Sequence, residues 1–177
     1  MMLQDIRSHT FAPFDPGPLR LISLVPSTTE TLFALGRGQD LIGYTRFCVH
    51  PSGEITPEKW IGGTKNPKIS LVVERQPDLV LANREENRLE DISALEEAGI
   101  PVWVAEPRSV PDAIADLRAM SMLVGRSERG EALARQVEQA LADARAQGMR
   151  APLTFAYLIW RDPWMVAGQE TFISSLL

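Results

Sequence analysis

One stretch, residues 20–36 (RLISLVPSTTETLFALG), constrains the fold more than any other part of the sequence. It opens with a nearly continuous apolar run, which is typical of a strand buried on both faces. Pro26 cannot donate to a sheet ladder, so we expect the strand to stop there. Ser27 and Glu30 have the spacing of a capping box, which predicts that Ser27 caps a helix that Gly36 ends. A strand, a turn and a helix in this order predict a parallel α/β domain.

Strand and helix patterns alternate along the rest of the chain. Further strands are predicted at residues 41–45, 78–82, 101–105 and 153–160. Helices are predicted at residues 69–75, 89–98, 109–123, 128–147 and 171–177. This alternation predicts a parallel sheet with right-handed crossovers, and ligands sit outside the carboxyl ends of such strands. The segments expected to converge on a ligand site are residues 26–28, 45–47, 83–87, 106–108 and 162–164.

Composition excludes several classes of function. The chain has 177 residues, and its net charge of −5 without a Lys/Arg cluster argues against a nucleic-acid partner. A single cysteine, Cys48, excludes an internal disulfide and a multi-cysteine metal site. The first 18 residues lack the apolar core of a signal peptide, and no apolar run approaches the ~20 residues of a membrane span. From the sequence as written we expect a cytoplasmic chain.

The long loop at residues 46–67 contains Phe47, His50 and Trp60. Loops of this length within a compact domain are usually functional or disordered. Phe47, Trp60 and Trp164 either pack their own loops onto the body of the protein or form opposite walls for a large, flat ligand. The sequence leaves both interpretations open.

Cys48 and His50 raise a second possibility, because they lie two residues apart. With an acid such as Glu106 they could serve a small hydrolase or transferase. His50 could instead be a metal ligand, or both residues could simply pack within the loop. Residues 84–87 (REEN) are most simply a solvated helix start, with a ligand-facing role as the alternative. Trp103, inside a predicted strand, is expected in the core.

Several separate blocks resemble one known family. RLISLVPSTTETLFALG, WIGGTKNP, PDLVLANREEN, AGIPVW and IWRDPWMVAG are similar to the substrate-binding proteins of cobalamin ABC importers. These proteins belong to the class with a rigid helix between two lobes, which also serves iron–siderophore and haem uptake. The resemblance spans residues 20–177 and implies a ligand-binding protein rather than an enzyme.

The resemblance also implies an organisation. A parallel-sheet α/β N-terminal lobe with flanking helices precedes a long interlobe helix and an incomplete second α/β lobe. The expected divisions are an irregular arm, the N-terminal lobe, the backbone helix and the start of the C-terminal lobe, at residues 1–19, 20–125, 126–150 and 151–177.

The same resemblance implies a binding site for a corrinoid or a related metal chelate. Phe47 and Trp60 match aromatic residues that contact the corrin ring, and Trp164 matches one on the facing wall. Asn83 stands where some members place another cleft tryptophan. The expected ligand-binding set is Pro26, Ser27, Thr28, Phe47, Trp60, Asn83 and Trp164. No catalytic residue and no intrinsic cofactor are expected, and haem or a siderophore remains an alternative ligand.

Two partners are expected. The first is an ABC permease, although Ser70 stands about where the family carries an acidic residue that docks onto the permease. The second is another copy of the chain. Residues 153–160 form a predicted strand that is apolar on both faces, and the helix after it has an apolar stripe. We therefore expect a homodimer through residues 153–177.

Overall fold

The structure is a computed structural model that describes residues 2–147 and 154–177. Its strands are β1 (Leu3–Gln4), β2 (Thr10–Phe11), β3 (Leu21–Ser23), β4 (Leu41–Tyr44), β5 (Leu79–Asn83), β6 (Val102–Ala105), β7 (Leu158–Trp160) and β8 (Met165–Val166). Its helices are α1 (Pro26–Ala34), α2 (Ile69–Glu74), α3 (Leu89–Glu97), α4 (Val110–Leu123), α5 (Ser127–Gln147) and α6 (Phe172–Leu176).

Four of these strands form a parallel sheet in the order β4-β3-β5-β6. Within it Ile22 pairs with Val80, and Leu81 pairs with Trp103. The predicted α/β class with a parallel sheet is confirmed. The order places β3 between two neighbours, so all of its residues are buried. Each connection between neighbouring strands crosses over through helical structure, as parallel pairing requires.

The two faces of the sheet carry separate apolar clusters. Val80 and Val102 pack on one face with Val72 of α2 and Leu95 of α3. Alternate strand residues point to the other face, where Leu81 and its neighbours meet α1 and α4. Trp103 lies in this second cluster, 3% exposed, and its ring meets that of Phe11 edge-on at 5.3 Å. The core position predicted for Trp103 is confirmed.

Helix α1 begins two residues earlier than the capping-box pattern predicts. Pro26 is its first residue, and Val25 precedes it without a side-chain cap. The fixed φ of proline already suits a first helical position, so Ser27 falls inside the helix and the predicted cap is wrong. The predicted end is confirmed, because Gly36 follows the helix with φ +77° and the Arg37 N–H donates to the Leu32 carbonyl over 2.8 Å.

The N-terminal arm was expected to be irregular, and in part this is wrong. Strands β1 and β2 form an antiparallel hairpin that lies along the outer edge of β6. The Ile6 N–H donates to the Val104 carbonyl over 3.3 Å, and the Asp5 carboxylate accepts the Val104 N–H over 3.3 Å. Arg7 donates to the Val102 carbonyl over 2.6 Å and to Asp5. The arm therefore supplies hydrogen-bond partners to backbone groups at the outer edge of β6, which would otherwise be unpaired.

The long loop also folds onto the sheet. Residues 60–62 run parallel to β4, with the Ile61 N–H donating to the Tyr44 carbonyl over 3.0 Å and the Arg46 N–H to the Gly62 carbonyl over 2.8 Å. The loop therefore covers the opposite edge of the sheet, next to β4.

The C-terminal segment differs from its prediction. We expected a strand over residues 153–160, but only Leu158–Trp160 is a strand and it pairs antiparallel with β8; residue 153 lies outside the described residues. A turn at residues 161–164 reverses the chain and favours local pairing over a crossover. The predicted final helix is present as α6, capped by the Thr171 hydroxyl. In the described part of the chain, no helix combines the length and apolarity that a membrane crossing needs.

Among the residues that the structure describes, Arg37 is one of the largest fully buried side chains, at 1% exposed. Its guanidinium donates to the Val124 carbonyl over 2.8 Å, to the Gly17 carbonyl over 2.6 Å and to the Asp40 carboxylate over 2.8 Å. These partners belong to the end of α4, the arm and the turn before β4. One buried cation therefore joins three segments that share no strand.

We expect Arg37→Ala to lower the free energy of unfolding by about 3–5 kcal/mol, because it leaves buried carbonyls and the Asp40 carboxylate without their donor. Urea denaturation followed by circular dichroism measures this. The control is Arg135→Ala, since Arg135 is 75% exposed in its pair with Glu131 and its loss should cost less than about 1 kcal/mol. Equal losses for the two variants would contradict the structural role of Arg37.

Candidate functional site

A cleft of about 820 Å³ opens at the carboxyl ends of the parallel strands. One side is the turn between β3 and α1, and a second is the turn between β5 and α3. The third is a half-buried face of α4, joined by Val137 of α5 and Phe172 of α6. The cleft therefore lies where parallel topology places ligands.

Five of the seven predicted binding residues line this cleft. They are Pro26, Ser27, Thr28, Phe47 and Asn83. The N–H groups of Ser27 and Thr28 belong to the first turn of α1, where no preceding helical carbonyl accepts them. The Arg46 guanidinium lies 5.0 Å from the centre of the Phe47 ring and holds that ring at the rim. The sequence-predicted convergence of residues 26–28, 47 and 83 is observed.

Trp60 and Trp164 are not among the residues that line the cleft. Trp60 is 40% exposed, and its backbone is held beside Tyr44 at the sheet edge. Trp164 is 65% exposed in the turn between β7 and β8, with the Arg161 guanidinium 5.7 Å from its ring centre. A wall role for either tryptophan stays a prediction.

The wall opposite Phe47 comes from residues that the sequence analysis did not select. Ala113, Leu117 and Met120 lie on one face of α4, and Ile114 and Phe172 extend the apolar surface. Their helical spacing is visible in the sequence. The spacing alone does not separate a face that meets the cleft from one that meets the core.

Asn87 joins three of the segments that form the cleft. Its buried amide donates to the Thr64 carbonyl over 3.0 Å and to the Leu24 carbonyl over 3.3 Å. Its side-chain oxygen accepts the Asn83 N–H over 2.8 Å. Residues 84–87 thus form a turn before α3. Neither alternative interpretation of REEN describes Asn87, because its buried side chain fixes the backbone of three cleft segments through these hydrogen bonds.

The possible Cys48, His50 and Glu106 constellation is not assembled. Cys48 is 1% exposed and contacts the hydroxyls of Thr29 and Thr45 at 3.1 and 3.3 Å. His50 lines a separate groove behind α1 with Glu30 and Glu54.

Glu106 is instead paired with Arg108 at 2.9 Å and Arg84 at 3.0 Å. The hydrogen bond from Arg108 is the main cause that lowers the pKa of Glu106, which keeps it ionised and a poor general acid. Residues 2–147 and 154–177 contain no group of three or more His, Cys, Asp or Glu placed to hold a metal ion.

Asp116 of α4 is an acidic residue within the apolar wall of the cleft. Burial is the main cause that raises the pKa of its carboxyl to about 6, and the nearby Asp112 adds to the shift. Desolvation and a like charge both disfavour the ionised form.

We expect the amide of Asn87 to be needed for stability. Asn87→Ala leaves two carbonyls and one N–H without a partner and should lower the free energy of unfolding by about 1–3 kcal/mol. Asn87→Asp should cost more, because it turns a carboxylate toward the Leu24 and Thr64 carbonyls. Urea unfolding measures both, with the exposed Asn66→Ala as control. An Asn87→Asp variant as stable as the parent protein would refute this role.

We expect a pH-dependent stability effect from Asp116. Because its pKa is higher in the folded protein than in the unfolded chain, the folded state binds the proton more tightly, and stability falls as the pH rises from about 4 to about 6. Asp116→Asn removes this loss, so its gain in melting temperature should be larger at pH 7 than at pH 4. Calorimetry at the two pH values tests this, and an equal gain at both would contradict it.

Sequence comparison finds similar proteins. The vitamin B12-binding protein of Pectobacterium carotovorum subsp. carotovorum (strain PC1) is 28% identical over 163 residues, which cover 90% of this chain and 59% of that protein. The vitamin B12-binding protein of Vibrio cholerae serotype O1 is 23% identical over 151 residues, or 85% of this chain and 54% of that protein. The chain thus spans little more than half the length of these relatives.

Solved structures show the same fold. The periplasmic heme-binding protein RhuT from Roseiflexus sp. RS-1 in apo form superposes with a TM-score of 0.79 at 28% identity, covering 90% of this chain and 63% of that one. The periplasmic vitamin B12-binding protein BtuF of Vibrio cholerae gives a TM-score of 0.80 at 22% identity over the same shares. A family match, to periplasmic binding protein, covers residues 21–177. Since this match includes all but the first 20 residues, the chain belongs to the periplasmic binding protein family.

Proposed function

We propose that this chain is the ligand-binding part of an ABC-importer substrate-binding protein and that its ligand is a metal-bearing macrocycle, a corrinoid or haem. The observation that carries the proposal is the cleft at the carboxyl ends of the strands. Its volume of about 820 Å³ falls within the ~300–1,000 Å³ of small-molecule sites.

The lining suits a large, flat and mostly apolar ligand. The Phe47 ring lies at the rim, and Leu117, Met120 and Phe172 supply apolar surface from the α4 side. Ser27 and Thr28 offer free N–H groups to polar atoms at the ligand edge. Apolar walls with a few fixed polar groups are the usual composition of a cofactor-sized site.

The relatives support the same class of ligand. Two of the similar proteins are vitamin B12-binding proteins and one is a heme-binding protein. An iron–siderophore remains the alternative ligand within this class. The rival enzyme hypothesis gains no support from the structure, because Cys48 is buried and Glu106 is held by two arginines.

The proposal extends to delivery of the ligand to an ABC permease and to a periplasmic site of action, as the family description implies. Ser70, at the expected docking position, is exposed on α2. The cytoplasmic location expected from the sequence is the alternative to this periplasmic site, and the homodimer through residues 153–177 stays a prediction. The described side chains in that range include exposed Phe155, Tyr157 and Ile159.

We expect Phe47→Ala to weaken ligand binding about 5- to 150-fold, equivalent to about 1–3 kcal/mol, because it removes an aromatic contact at the rim of the cleft. Tryptophan fluorescence quenching by cyanocobalamin and by haemin measures the affinity. The matched control is Phe155→Ala, since Phe155 is exposed and outside the cleft. Trp60→Ala and Trp164→Ala in the same assay show whether either tryptophan contacts the ligand, since loss of a contact lowers the affinity.

Two results would count against the proposal. One is the absence of binding of both ligands by the folded protein at about 100 μM, the weak end of small-ligand recognition. The other is an equal loss of affinity for Phe47→Ala and Phe155→Ala, which would place the ligand elsewhere.

A further inference from the structure

We propose that Asp116 is a specificity-determining residue of the cleft and that it selects macrocycles whose edge carries amide N–H donors over macrocycles whose edge carries carboxylates. This inference rests on the proposed function, because it names the ligand chemistry that the same cleft accepts.

The position of Asp116 is the first support. It lies on α4 between Ala113 and Met120, which also line the cleft, and the rest of that wall is apolar. A carboxylate in an apolar wall is costly unless a donor reaches it. A bound ligand is one source of such a donor, since the residue borders the open cleft.

The second support is the lack of a partner within the protein. Among residues 2–147 and 154–177, no group donates a hydrogen bond to the Asp116 carboxylate or forms an ion pair with it. The arginine on the same helix, Arg118, forms salt bridges with Glu131 at 2.8 Å and with Glu138 at 2.8 Å, both on α5. The raised pKa of Asp116 has the same origin, burial without a compensating donor.

The third support is the balance of charge in the cleft. Glu85 and Glu86 line it together with Asp116, and none of the described lining residues is Lys, Arg or His. The nearby cations are outside this lining: Arg84 and Arg108 pair with Glu106, Lys65 donates to the Glu85 carbonyl, and Arg46 lies over the Phe47 ring at the rim. A carboxylate on the ligand would therefore meet like charge inside the cleft.

Two classes of flat metal chelate differ in this chemistry. A corrin edge substituted with primary amides presents several N–H donors and no carboxylate. A haem edge presents two carboxylates and no N–H donor. A hydrogen bond from an amide to a carboxylate is charge-assisted, and such bonds are stronger than neutral ones. The acidic residues that line the cleft therefore favour the amide-bearing corrin over haem.

The experiment uses dicyanocobinamide, a neutral corrin with amide side chains, and haemin as probes. For the full chain we expect tighter binding of dicyanocobinamide. Asp116→Leu should weaken dicyanocobinamide binding about 10- to 100-fold, from loss of a bond to a charged group, and should leave haemin binding unchanged or tighter. Asp143→Leu is the matched control, because Asp143 is exposed on α5, outside the cleft lining, and its loss should change neither affinity.

Asp116→Asn keeps the size of the side chain and one acceptor oxygen, so it tests the proposal if Asp116→Leu does not fold. We expect a smaller loss for dicyanocobinamide with this variant and a gain for haemin. A parent protein that prefers haemin, or equal changes for both probes in the Asp116 variants, would overturn the inference while leaving the proposed function in place. Failure of both probes to bind the parent protein would instead overturn the proposed function and this inference with it.

Discussion

The rest of the structure depends on the parallel pairing of β3 with both of its neighbours. Leu21 and Ile22 are completely buried, with β4 on one side and β5 on the other. Parallel neighbours need crossover connections, so the helices must cover both faces of the sheet. The same geometry brings the carboxyl ends of four strands to one edge, and the turns that follow them meet there. The cleft is thus a consequence of the strand order.

The turns around the sheet are irregular, and buried polar side chains fix them. Asn87 holds the ends of β3 and β5 and the loop at Thr64 in one arrangement. Arg37 does the same at the other end of the sheet for the arm, the end of α4 and the turn before β4. Such segments lack a regular ladder, so their carbonyls depend on side-chain donors. The Asn87 amide and the Arg37 guanidinium therefore fix the loops, as backbone hydrogen bonds between strands fix the sheet.

Asp116 shows a conflict between stability and the proposed role. Its carboxyl is buried enough to raise its pKa to about 6, so an ionised Asp116 disfavours the folded state at neutral pH. The paired acids of the same region behave differently: Glu131, held mainly by Arg118, has its pKa lowered to about 2. A carboxylate without a partner in an apolar wall lowers stability, and such a conflict is typical of residues that serve a functional site.

The sequence by itself determined the four strands of the parallel sheet and the helices between them, because apolar runs, helical spacing, Pro26 and Gly36 are local signals. It also placed Ser27, Phe47 and Asn83 at one site, since parallel topology makes strand ends converge. Tertiary structure alone decided which face of α4 meets the cleft, where Trp60 lies and what Asn87 binds. It also decided that the arm covers the edge of β6 and that residues 158–160 turn back on β8. Apart from the local pairing of β7 with β8, these outcomes depend on partners distant in sequence, so no local pattern records them.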